Sequence, residues 1–416
     1  MLKKQAEPSI IQTSVKVENK NIYLGNRTVN GESSVDGFDV AKLLDLSDGA
    51  VVTSKNEDVA VVNGNIITIF KEGGICLEIL EEGRTYEKTL ITVDGVNVTK
   101  ADDFSAMSDG YGNIENNVII QRDLTMEETS PDYNRFEAYK INGSIYGNGF
   151  SVNGDNYLEK YIYPVFIITG QDVTIRDLKI YGMAIEEGEE IALDDFSAGG
   201  TLFVFMSAKA YVENCIFENS DKNIMIKNSE VYFRNCLFRN ASDTNISIKT
   251  FEQIPSNVTI ENCIFADAVV AGILNWCDTE VDESAQCTIS IKGDTYFYNW
   301  KEVRTAKMIP QSEPNADLFN AFIRSVFYKS EKGFVVRFNK KEYINTAIIV
   351  ICSDKNSVNT PVINGLWEQK LKKQTLPLGS IISNYLTTAD VYGYTDTKRL
   401  PPDSVLTDNP YFKNRI

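Results

Sequence analysis

Four segments of this chain can be laid over one another position by position. Val173-Thr-Ile-Arg-Asp-Leu-Lys-Ile180, Ala210-Tyr-Val-Glu-Asn-Cys-Ile-Phe217, Val231-Tyr-Phe-Arg-Asn-Cys-Leu-Phe238 and Val258-Thr-Ile-Glu-Asn-Cys-Ile-Phe265 share one template. It reads apolar, any, apolar, any, Asn or Asp, Cys or Leu, any, Phe or Ile, and a looser fifth copy occupies residues 289–297. Alternating runs at residues 202–206, 224–227 and 246–249 precede three of the copies, so a unit holds at least two strands and no helix. A unit of about twenty residues made only of strands and turns cannot bury its own apolar face and must stack on its neighbours. The chain is therefore expected to contain a parallel β-solenoid. Leucine-rich repeats have a similar length, but they need a leucine frame and a helical return, and neither is present.

Stacking gives each recurring slot of the template a structural task. Asn214, Asn235 and Asn262 fall above one another at a turn, where side-chain amides can bond from coil to coil. Cys215, Cys236 and Cys263 point inward beside a ladder of Phe217, Phe238 and Phe265. The seven cysteines are an odd number with no CxxC or other metal-ligand spacing, so they are read as free thiols, these three acting as small buried hydrophobes.

On either side of the repeats the pattern changes. Residues 1–13 form an arm, and residues 14–96 alternate short strand-like runs with turn signals and predict a small sandwich, with one helical period at residues 40–46. A turn-rich junction covers 97–114, the solenoid 115–300, and residues 301–416 continue and cap it, since an open end would expose core and strand edges. Within that last region residues 315–330 place Leu318, Phe319, Phe322, Ile323 and Val326 on one helical face, and strands are expected at 334–338 and 346–352.

Two resemblances attach to these segments. Thr53–Val61, followed by residues 63–70 and 71–79 and then Lys88-Thr-Leu-Ile-Thr-Val-Asp-Gly95, resembles the bacterial immunoglobulin-like (Big) domain, a family of spacers and adhesive decorations. The repeats, with Asn117-Val-Ile-Ile-Gln-Arg-Asp-Leu124 and Gly143-Ser-Ile-Tyr-Gly-Asn-Gly149 as opening coils, resemble the right-handed parallel β-helix of the pectin-lyase-like superfamily. The implied fold class is all-β: an immunoglobulin-like sandwich, a right-handed parallel β-helix and a mixed C-terminal cap. That superfamily includes lyases, hydrolases, adhesins and phage spikes, so the fold leaves function open.

Composition narrows the chemistry. There is no histidine, which excludes Ser-His-Asp and Cys-His catalysis and removes the commonest acid/base group near neutral pH. The Gly-His-Gly and Arg-Ile-Lys strings of the polygalacturonases, and the tryptophan-x-aspartate-histidine motif of pectate lyases, are missing. The Asp-Asp pairs, Asp102-Asp103 and Asp194-Asp195, lack the flanking residues of that family. One acidic stretch, with Glu186, Glu187, Glu189, Glu190, Asp194 and Asp195, could ligate a hard cation, or it is a solvated loop insertion extended by its own charge. Trp276, Trp300 and Trp367 could stack on sugars, and Tyr111, Tyr157, Tyr161, Tyr392 and Tyr394 could supply a contact surface. No cofactor is expected.

Fifty-eight acidic against 41 basic residues give a net charge of −17, which argues against nucleic acid as partner. No apolar run reaches the roughly 18 residues of a membrane span. The first residues lack the apolar stretch of a secretory signal, which with free thiols points to assembly in a reducing cytoplasm. The expected function is a non-enzymatic structural or adhesive protein of a bacteriophage virion: a spike, head decoration, collar or baseplate appendage. Its expected partners are other virion proteins or host surface polysaccharide, and its state is homo-oligomeric or particle-bound. The alternatives are a polysaccharide lyase or glycoside hydrolase with a histidine-free carboxylate site, and a bacterial cell-surface adhesin fragment.

Overall fold

The computed structural model describes residues 22–27, 29, 38–126, 138–155, 164–183, 200–205, 208–249, 254–268, 271–277, 286–298, 327–330, 333–338, 341–352, 361–366, 370–379 and 387–394. Each coil of the solenoid contributes one strand to each of three parallel sheets. In one coil Gly200–Phe205 lies in sheet I, Lys209–Glu213 in sheet II and Ile216–Glu218 in sheet III. Lys222–Lys227, Glu230–Arg234 and Leu237–Arg239 form the next, and Thr244–Lys249, Asn257–Glu261 and Ile264–Ala266 the one after. The stack begins with Asn113–Ile114, Asn117–Ile120 and Leu124–Thr125, and sheet III closes at Tyr296–Tyr298.

The register in sheet II runs Val173, Ala210, Val231, Val258, Ile289, which is the alignment of the sequence template itself. In sheet III it runs Ile180, Phe217, Phe238, Phe265, Phe297. One template copy therefore spans two strands, split where the Asn or Asp bends the chain. Alternation then sends Val, Ile, Cys and Phe into one continuous apolar core. Sheet I is apolar on its outer side as well: Ile167, Phe203 and Met225 form a second buried cluster there.

The N-terminal unit has two sheets. One pairs Phe38–Asp39, Ile66–Ile69 and Ala60–Asn63, and the other pairs Val51–Ser54, Gly73–Glu81 and Arg84–Val98. Leu24, Val52, Ile67, Ile75, Leu77 and Leu90 close a core between them, separate from that of the solenoid. Helix α1 (Val40–Leu44) occupies the expected helical period, and Asp39 caps it by accepting from the Ala41 and Lys42 amides at 3.1 and 3.2 Å.

The expected boundary at residue 96 falls inside one long strand, Arg84–Val98. Its first part pairs antiparallel with Gly73–Glu81, and Gly95–Val98 pair parallel with Asn117–Ile120. The sandwich and the solenoid therefore share a sheet while keeping separate cores. Helix α2 (Asp102–Met107), in the expected junction 97–114, covers the start of the stack with Phe104, whose ring lies 5.2 Å from Phe166 and 5.5 Å from Tyr139. Asp103 is buried there because it accepts from the Thr99 and Lys100 amides at 2.8 and 3.1 Å.

At the far end the parallel order gives way. Lys341–Cys352 pairs parallel with Ala271–Cys277 on one edge and antiparallel with Thr387–Tyr394 on the other, followed by Lys372–Gly379. The expected strands at 334–338 and 346–352 are present within Gly333–Phe338 and Lys341–Cys352. Of the helix expected at 315–330, residues 315–326 lie outside the described residues, and Phe327–Ser330 is a strand paired antiparallel with Gly333–Phe338. Hairpin pairing overrides the local helical period at that end. Tyr392 and Tyr394 are likewise corrected: they sit in a strand with 6% and 4% exposure and belong to the core, because the antiparallel strand that carries them covers the last coil.

Candidate functional surfaces: corners and flanks of the solenoid

The corner between sheets II and III is built by the residues the template singled out. Asp177, Asn214, Asn235 and Asn262 all adopt left-handed backbone, with φ of 55°, 55°, 54° and 53°. Asn and Asp tolerate that conformation better than other residues with a Cβ, which is why the slot is restricted. The Asn214 amide donates to Asp177 Oδ1 and the Asn235 amide to Asn214 Oδ1, both at 3.2 Å. Asn262 accepts from the Asp294 backbone at 3.0 Å. In the following coil Gly293 takes the turn at φ 59°, where a Cβ would stand 2.1 Å from Asn262 Oδ1.

A second corner of the same kind escaped the sequence reading. Asn219, Asn240 and Asp267 leave sheet III at φ 56°, 54° and 53°, and the Asn240 amide donates to Asn219 Oδ1 at 3.0 Å. The signal was present as an Asn or Asp two places after each stacked Phe. Just beyond, Asn223 and Asn245 are fully buried; the Asn223 amide donates to Asn245 Oδ1 at 2.7 Å and to the Arg239 carbonyl at 3.1 Å.

Inside, Phe217, Phe238, Phe265 and Phe297 form a stack with centroid separations of 5.5, 4.8 and 4.6 Å and interplanar angles of 11°, 16° and 14°. Cys215, Cys236 and Cys263 are fully buried. Their thiols donate to carbonyls of the preceding strand, Cys215 to Glu213 at 3.2 Å and Cys263 to Glu261 at 3.3 Å. Burial pushes the Cys236 thiol well above its ordinary range, so it is no nucleophile near neutral pH. The Cys236 backbone amide donates to Cys263 Sγ at 3.4 Å.

The outer face of sheet II carries two patterned columns. Arg176, Glu213, Arg234, Glu261 and Lys292 succeed one another coil by coil, alternating in sign. Arg234 pairs with Glu213, and Arg176 Nη2 lies 3.9 Å from the same carboxylate. Beside them Tyr211 and Tyr232 stack with centroids 5.1 Å apart and planes 14° apart, and the Tyr232 hydroxyl donates to Glu230. Lys209 Nζ lies over the Tyr211 ring, 5.3 Å from its centroid, so this column too is tied to its neighbours.

On the outer side of sheet III, Glu218 is 3% exposed. It receives Lys179 Nζ at 2.6 Å from one coil and Arg239 Nε from the next. Burial alone would raise the Glu218 carboxyl, but the adjacent Arg239 and Lys179 outweigh it and hold the group below the ordinary glutamate range. Such a carboxylate holds a fixed negative charge and cannot deliver a proton near neutral pH.

The acidic stretch with Glu186, Glu187, Glu189, Glu190, Asp194 and Asp195 lies outside the described residues, as do Tyr157, Tyr161, Trp300 and Trp367. Tyr111 is on the surface at 73% exposure. Among the described residues no group of three or more His, Cys, Asp or Glu side chains is placed to hold a metal ion. No family model and no curated protein matches the chain. Along the corners and flanks, polar side chains are tied from coil to coil along the axis.

Proposed function

We propose that the chain is a non-enzymatic structural and adhesive protein, a rigid β-solenoid rod carried on a bacteriophage virion and presenting its flanks to other virion proteins or to host surface glycan. The observation that carries this reading is the direction of the polar contacts. Asn214 to Asp177, Asn235 to Asn214, Asn240 to Asn219, Arg234 to Glu213 and Arg239 to Glu218 all run from one coil to the next. Side chains so engaged stiffen a rod and repeat a pattern of hydrogen-bonding groups about every 4.8 Å along it, suited to another elongated surface. The N-terminal unit, which resembles a Big domain in sequence, shares a sheet with the rod and would act as its spacer or attachment point. Among the described residues no helix is long and apolar enough to cross a membrane.

The test is quantitative mass spectrometry of purified particles, with reducing-end and unsaturated-product assays on pectin, polygalacturonate and capsular polysaccharide. Fixed stoichiometry in particles with no cleavage is the expected result. Cleavage that is lost in Asp194→Asn or Asp195→Asn would replace this reading with the lyase or hydrolase one.

A further inference from the structure

A further charged cluster bridges two successive coils. Where the chain passes from sheet III back to sheet I, Lys222 has a side chain only 8% exposed, between Asp221 at 3% and Asp243 at 14%. Its Nζ lies 3.1 Å from Asp221 Oδ2 and 3.7 Å from Asp243 Oδ2, the second carboxylate belonging to the next coil. Ser242 donates its hydroxyl to Asp221 Oδ1 at 2.8 Å. The backbone amides of Ser242 and Asp243 donate to the carbonyls of Ser220 and Asp221 at 2.9 and 3.0 Å, which fixes one corner on the other. On the side of the preceding coil, the Asp221 amide donates to the carbonyl of Met183, a fully buried residue.

We propose that this cluster is a self-modifying site, at which Lys222 and Asp243 condense into an amide that covalently joins two coils. A buried ammonium beside one buried and one partly buried carboxylate is costly to keep ionised, and moving one proton from Nζ to Asp243 turns that pair into a neutral amine and a neutral carboxylic acid. The amine lone pair then attacks Cγ of Asp243, forming the N–C bond. Asp221, steadied by Ser242, takes the proton released by nitrogen and returns it to the departing hydroxyl. One water leaves, Asp221 is again a carboxylate, and no oxidant, cofactor or metal takes part. Asp243 is the acceptor although Asp221 is nearer, because an amide between adjacent residues 221 and 222 would close a small ring through a trans peptide. Asp221 is thus left as the proton carrier.

The experiment is mass analysis of the full chain and of its proteolytic peptides, for wild type, Lys222→Met and Asp221→Asn. The expected result is a wild-type chain lighter than its sequence by one water, with a branched peptide joining Lys222 to Asp243. Lys222→Met should carry the full mass, and Asp221→Asn should yield the two peptides unlinked. A wild-type chain of full mass with separate Lys222 and Asp243 peptides overturns the proposal, and needs no variant to fold. A branched peptide between other residues, or full cross-linking in Asp221→Asn, overturns the assigned roles.

Discussion

Asn235 does two things that an alanine cannot: it occupies left-handed backbone at φ 54°, and its amide reaches Asn214 Oδ1 at 3.2 Å. Asn235→Ala should therefore destabilise the fold by about 2 kcal/mol, adding left-handed strain to a lost hydrogen bond. Asn235→Gly should recover part of that loss, and urea melts of the two variants separate the contributions. Phe238 touches Phe217 on one side and Phe265 on the other, so Phe238→Ala should cost about 3–5 kcal/mol in the same assay. Glu218 supplies a pH dependence. Its carboxyl titrates lower when folded than when unfolded, so the unfolded chain takes up its proton first as pH falls. The stabilisation is complete above the ordinary glutamate value and is lost as pH drops through the lower folded value. Unfolding free energies measured from neutral to acid pH should fall less steeply in Glu218→Gln than in wild type.

At the scale of the element, the strand Arg84–Val98 joins the two units, and Gly95 marks the place where it passes from one neighbour to the other. A Cβ at Gly95 would come within 2.5 Å of Ile119 Cδ1 and 2.8 Å of the Asn117 carbonyl. Gly95→Ala should cost about 1–3 kcal/mol through this overpacking. A thermal melt should show the loss, with the N-terminal unit separating first. This joint was not legible in the sequence, which places a boundary after residue 96, because the residue pattern of 89–98 does not tell which strands its two edges meet. The repeat strands were legible because Val231 and Phe238 recur with Val258 and Phe265 at matching offsets, and in-register stacking needs the same residue type at each level. The alternating charges of sheet II sat in the template's unrestricted positions. Only the pairing of Arg234 with Glu213 and Glu261 as register neighbours gives those positions meaning.

For the whole molecule, separate cores joined by one sheet set what truncation should do. A chain of residues 100–416 keeps nearly all of the solenoid core but strips Gly95–Val98 from the edge of Asn117–Ile120. It should still unfold cooperatively, at a lower midpoint than the full chain; loss of cooperativity would mean that the solenoid cannot fold without the sandwich. The coil-to-coil register aligns Asn, Cys and Phe, and a pair of introduced cysteines tests it most directly. Thr259 and Ser290 are register partners on the outer face of sheet II, whereas Ile291, one residue on, is buried in the core. Neighbouring parallel strands lie about 4.8 Å apart, within the range of about 4.4–6.8 Å that a disulfide spans. Under mild oxidation followed by peptide mapping, Thr259→Cys with Ser290→Cys should cross-link in full, and Thr259→Cys with Ile291→Cys should not. Cross-linking of the second pair in place of the first would contradict the register and the stacked ladders built on it.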